Sequence, residues 1–118
     1  MLNLLLFLFS VQLFANSALE AMSRRVNTEL PEVYDHATKL MRTTVENNNF
    51  KFHFVVGASK AEFADAYPKV KAQILKTLCS HAREKSILKV YKAGILYSYE
   101  STRGEALGEF LVRPNHCP

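Results

Sequence analysis

The chain has 118 residues, 48% of them apolar, with two cysteines and a formal charge of +4. That length builds one domain with a modest core rather than several. The mild positive balance, without an aromatic–basic binding motif, gives no support for a nucleic-acid partner.

Met1 to Ala15 reads MLNLLLFLFSVQLFA, without a single charge. The run is shorter than the ~20 apolar residues a membrane span requires. It predicts a signal peptide over 1–15, with a second cleavage position after Ala18, and a periplasmic or secreted protein. Neither cleavage position has a small residue two places earlier, where Leu13 or Asn16 stands, and no Lys or Arg precedes Arg24. A short uncleaved anchor and a buried N-terminal helix are the competing readings. After signal cleavage no transmembrane anchor is expected.

A single domain over 19–118 remains. Residues 19–29 read as a polar lead-in of a helical turn or two, and Leu30-Pro31 opens the ordered core. From Pro31 to Asn47 two readings stand. Val33, Ala37, Leu40, Met41, Thr44 and Val45 fit a helical stripe, whereas Thr43-Thr44-Val45 before three asparagines suits a strand entering a turn. Phe50, Phe52 and Phe54 then alternate with Lys51 and His53, which predicts a half-buried strand with the phenylalanines inward.

Ser59-Lys60-Ala61-Glu62 is a capping-box pattern. Phe63, Tyr67, Val70, Ile74, Leu78 and Ala82 follow at helical spacing. Pro68 interrupts them, so the expectation is a short helix over 60–66 and a longer one over 68–82. A further short helix is expected from Lys85 to Lys92, ended by Gly94. Residues 95–112 read as a hairpin turning at Arg103-Gly104, with Tyr97 and Tyr99 on one face. The fold class is therefore α+β: a four-stranded antiparallel sheet in the order β-β-α-(α)-β-β, helices on one face.

Cys79 and Cys117 predict one disulfide, which pins the long helix to the segment after the last strand. A His2Cys2 zinc site using His81 and His116 is the competing reading of these residues. Seven cations, Lys69, Lys71, Lys76, Arg83, Lys85, Lys89 and Lys92, meet only Glu84 in the same stretch. They form a candidate basic interaction face, or else an ordinary solvated one.

Leu30-Pro31, Asp35, Thr38, Leu40, the three phenylalanines, Cys79, Gly94, Tyr97-Ser98-Tyr99, Gly104 and Cys117 together resemble a group of small exported bacterial proteins. The group carries an LP…D…T…L opening, an aromatic strand, a G…YxY hairpin and two cysteines, and has no established activity. The resemblance implies export, the disulfide and a strand over 38–46. This chain departs from the group in its uncharged start and its basic helical region.

No HExxH, GxSxG or metal-ligand spacing occurs around His36, His53, His81 or His116. No catalytic, metal or cofactor site is predicted. The functional expectation is a small exported non-enzymatic domain that binds another envelope component, as an adaptor, accessory or inhibitor. The alternative is an assembly accessory held to a membrane or anionic envelope polymer by the basic helices; a small hydrolase is the remaining possibility. Tyr97 and Tyr99 either complete the helix-facing core or line an exposed groove.

Overall fold

The computed structural model describes residues 17–118, so the expected signal peptide lies outside the described residues. Residues 17–27 form helix α1. It is followed by β1 (Glu32–Val33), β2 (Thr38–Glu46), β3 (Asn49–Val56), α2 (Lys60–Thr77), a 3-10 turn (Leu78–Ser80), α3 (Ala82–Lys89), β4 (Gly94–Ser101), β5 (Ala106–Val112) and a last 3-10 turn (Pro114–His116). None of the described helices is long and apolar enough to cross a membrane.

The strands form one five-stranded sheet in the order β1-β2-β3-β4-β5. β2 and β3 meet through a tight hairpin in which Asn47 and Asn48 both take positive φ, at 50° and 63°. That is the paired left-handed geometry a two-residue hairpin needs, and asparagine tolerates it well. Inward-facing residues alternate along each strand: Phe50, Phe52 and Phe54 on β3, Ile95, Tyr97 and Tyr99 on β4, Phe110 and Val112 on β5 are all buried. The residue after Leu40 is bulged out, which returns Thr43 and Val45 to the inward face opposite Phe52 and Phe50.

Three expectations are corrected. The sheet is mixed, not antiparallel: β3 and β4 run parallel, with Asn49 beside Gly94 and Val56 beside Ser101. The long helical connection returns the chain to the end where β3 began, which is the kind of crossover a parallel pair requires. It also has five strands, because Glu32 and Val33 add a short edge opposite Leu40 and Lys39. Thirdly, α2 runs unbroken through Pro68. Proline's fixed φ suits a helix, so the loss is one hydrogen bond and some crowding. Phe63 and Tyr67 before it, and Val70 and Ile74 after it, all pack against the core and keep one axis. Ser59 caps α2 reciprocally with Glu62, as its sequence predicts.

The helical boundaries shift as well. α3 starts at Ala82, after His81 in the N-cap position, and ends at Lys89. Gly94 opens β4 instead of ending a helix, and a Cβ there would lie 2.5 Å from Asn49 Oδ1 and 3.2 Å from the Val112 carbonyl.

The helical lead-in expected over 19–29 is longer than a turn or two and packs as part of the core. Leu19 is fully buried, and Met22 and Val26 pack against the same core. Ser23 Oγ bonds Thr43 Oγ1 at 2.7 Å. Asn27 accepts from the Thr43 N–H at 2.7 Å and donates to its carbonyl at 3.0 Å. Asn27 thus serves the stretch of β2 that the two-residue β1 does not reach, where unpaired backbone groups would be costly.

The three helices of the described residues contact the inward face: α1 through Thr43, α2 through Phe63 against Tyr99, and α3 through Arg83 over Phe52. Cys79 and Cys117 form the expected disulfide, with Cα atoms 5.6 Å apart. It ties the end of α2 to the segment after β5. Closing a loop of this length restricts the unfolded chain by about 4 kcal/mol.

Candidate functional cleft

α2 is not pressed flat on the sheet. Of its apolar stripe only Phe63 is fully buried, while Val70 and Ile74 are half-buried. Between this stripe and the sheet lies an open cleft of about 1190 Å³. Phe54, Val56, Tyr97 and Tyr99 floor it; Phe63, Ala66, Val70 and Ile74 of α2 form one wall. Glu32 and residues 34–38 form the other wall, and the start of α3 lies at one end. The volume exceeds the ~300–1,000 Å³ usual for small-molecule sites. The half-exposed Tyr34 ring extends the apolar lining to the surface.

The floor is a stacked aromatic array. Tyr97 stacks on Phe110 at 4.9 Å and Tyr99 on Phe54 at 5.0 Å, while the Tyr34 ring stands edge-on to Phe54 at 5.0 Å. Both sequence readings of Tyr97 and Tyr99 therefore hold a part of the answer. Their rings are core, yet each also lines the cleft.

A polar cluster marks the α3 end. The Arg83 guanidinium donates to Glu84 Oε1 at 3.1 Å and to the Tyr34 hydroxyl at 3.0 Å, and lies 3.7 Å from Glu32. It also covers the Phe52 ring at 5.3 Å. Burial works against its charge, but Glu84, Tyr34 and Glu32 together more than offset that. Burial raises Tyr34, and the Arg83 charge opposes the rise. This cluster joins residues 49 positions apart, and nothing local in the sequence signals it.

The seven candidate basic residues point to several places. Arg83 is held inside the cleft and Lys69 lines its α2 wall. Lys71 lies over Phe110, 5.6 Å from the ring centroid. Lys89 donates to the Pro118 backbone oxygen. Lys76, Lys85 and Lys92 are exposed.

His36 and His81 line the cleft, while His116 Nε2 lies 2.8 Å from the Leu75 carbonyl oxygen. His53 belongs to the opposite face of the sheet, beside Thr44 and Arg42, and does not pair with His36. The disulfide occupies both thiols of the zinc alternative. Among the described residues no group of three His, Cys, Asp or Glu side chains is placed to hold a metal ion.

No family model matches the sequence, and no curated protein does either. Solved structures do match the fold. A Pseudomonas aeruginosa protein assigned as secreted superposes with a TM-score of 0.77 at 18% identity, over 90% of this chain and 95% of that one. The type II secretion system pilotin AspS of Vibrio cholerae gives 0.72 at 18% identity, over 93% and 98%. EpsS, the type 2 secretion system pilotin of Vibrio vulnificus, gives 0.67 at 19% identity, over 88% and 96%. At these identities the likeness is one of fold, and it spans nearly the whole of each chain.

Proposed function

We propose that this protein is an exported, non-catalytic accessory that holds a segment of an envelope protein in the α2 cleft, as a pilotin-like component of a secretion apparatus. The observation that carries the reading is the cleft itself. Its floor is aromatic, its α2 wall is an apolar stripe left half-open, and its volume suits a stretch of polypeptide better than a metabolite. The pilotin fold of AspS and EpsS, matched over most of the chain, supports the same reading. So does the disulfide, which persists in oxidising compartments and fits export through the apolar 1–15 segment. The enzyme reading draws little support from the histidines: His36 and His81 share the cleft without a metal-binding group around them among the described residues, and His53 and His116 lie elsewhere.

A second reading keeps the basic residues as a contact for a membrane or anionic polymer, and rests on the exposed Lys76, Lys85 and Lys92. Its binding would weaken steeply with salt, because exposed charges are screened.

The cleft reading is tested by Ala66→Trp. Ala66 is exposed on the cleft wall, so an indole there fills the groove without entering the core. The variant is expected to keep its circular dichroism and disulfide yet lose co-purification of the envelope partner that the wild type retains. Equal recovery of that partner by a folded variant contradicts the proposal.

A further inference from the structure

The cleft has a charge of its own, opposite to that of the molecule. The chain as a whole carries +4. The cleft lining, in contrast, sets four carboxylates, Glu32, Asp35, Glu62 and Glu84, against two cations, Lys69 and Arg83. Arg83 is already engaged by Glu84 and Glu32. An occupant therefore meets a net negative lining around an apolar floor.

A second feature concerns hydrogen bonding. Tyr97 and Tyr99 are each only 4% exposed. The hydroxyls of Tyr34 and Tyr67 have protein partners, Arg83 and the Glu109 carbonyl. Those of Tyr97 and Tyr99 have none among the described residues, although both side chains are buried and both line the cleft. The polar side chains of Tyr34, Asp35, Arg83 and Glu84 line the same cleft. Burial raises both phenols above their ordinary range, so each carries a proton that it can donate. Buried polar groups are normally satisfied, and an occupant offering acceptor oxygens would satisfy these two.

We infer that the occupant is an amphipathic polypeptide segment whose apolar side chains lie on the aromatic floor, whose Lys or Arg side chains meet the acidic lining, and whose backbone carbonyls accept from Tyr97 and Tyr99. This rests on the reading of the cleft as a polypeptide site and adds the sign of the partner's charge. The two features are independent of each other: the carboxylates select cations, and the phenols select acceptors. A neutral lipid chain would satisfy neither, and an acidic segment would be repelled.

The test uses two labelled synthetic peptides of about 15 residues with the same leucine pattern, one with lysine and one with glutamate at the polar positions. Each is titrated against the purified, disulfide-intact protein. The lysine peptide is expected to bind at least about tenfold more tightly. The direction is informative because non-specific attraction to a protein of charge +4 would favour the glutamate peptide. Replacing Glu32 and Asp35 together, by Glu32→Gln and Asp35→Asn, should narrow the preference. Tyr97→Phe and Tyr99→Phe, which remove only the hydroxyls, should each weaken lysine-peptide binding by about three- to tenfold. Ala66→Trp should abolish it. If the glutamate peptide binds as tightly or more tightly and Ala66→Trp removes both, the charge inference falls while the polypeptide cleft stands. If neither peptide binds, or Ala66→Trp leaves binding intact, the cleft reading falls with it.

Discussion

His53 shows how one side chain can report on the face of the sheet away from the cleft. Its Nδ1 lies 3.5 Å from the Arg42 guanidinium, which can only donate, and its Nε2 lies 2.7 Å from Thr44 Oγ1. The neutral ring with Nε2–H donating to Thr44 fits both contacts. A second proton would place an N–H against Arg42. Burial first, then Arg42 and Lys51, lower the His53 pKa below the ordinary value, with Glu46 and Glu100 opposing them weakly. A depressed folded pKa means that the unfolded chain binds the proton more tightly. The histidine's contribution is thus complete above about pH 6.5 and is lost as pH falls through the lower, folded value. Urea unfolding of His53→Asn, compared with the wild type at about pH 7.5 and about pH 5, should show a smaller acid loss in the variant. Equal losses in the two proteins would show that His53 does not titrate in this way.

Among the elements, α1 changes the reading of the N-terminus most. Leu19 sits in the core and Ser23 and Asn27 hold Thr43, so the 17–27 helix is part of the folded unit. Processing after Ala18 would make a core residue carry the charged amino terminus and would remove the start of the helix. Processing after Ala15 leaves 17–27 whole. If the chain is exported and cleaved as proposed, N-terminal sequencing of protein recovered from an extracytoplasmic fraction should begin at Asn16, and a sequence beginning at Leu19 would contradict the role given to α1. Legibility in the sequence followed the range of the interactions. The phenylalanine alternation of β3 and the Ser59–Glu62 box are local, and both were readable. Leu19, Met22 and Val26 also have helical spacing, but Glu20, Arg24 and Arg25 among them give the segment a polar look. Pro68 misled for the opposite reason: its local penalty is real, and tertiary packing on both sides of it outweighs it.

For the whole molecule, the direction of β4 is the feature that sequence patterning does not carry. An alternating strand reads the same in either direction, and only the end point of the α2–α3 crossover makes β3 and β4 parallel. The cleft follows from that same crossover, since α2 and α3 cross the aromatic face without closing over all of it. The tyrosine pair and the α2 stripe were visible in the sequence as apolar positions, whereas the space between them depends on the angle at which the helix is set down. The Tyr34–Arg83–Glu84 cluster likewise exists only once β1 and α3 have been brought to the same end of the groove. The proposed function requires that groove to be the working surface. Photo-crosslinking in intact cells tests it most directly, with a photoreactive residue at Val70 on the cleft wall or at Ser98, which pairs with His53 on the opposite face of the sheet. The account predicts a discrete adduct with one envelope protein from position 70 and none from position 98; adducts from 98 alone, or the same adduct from both, would contradict it.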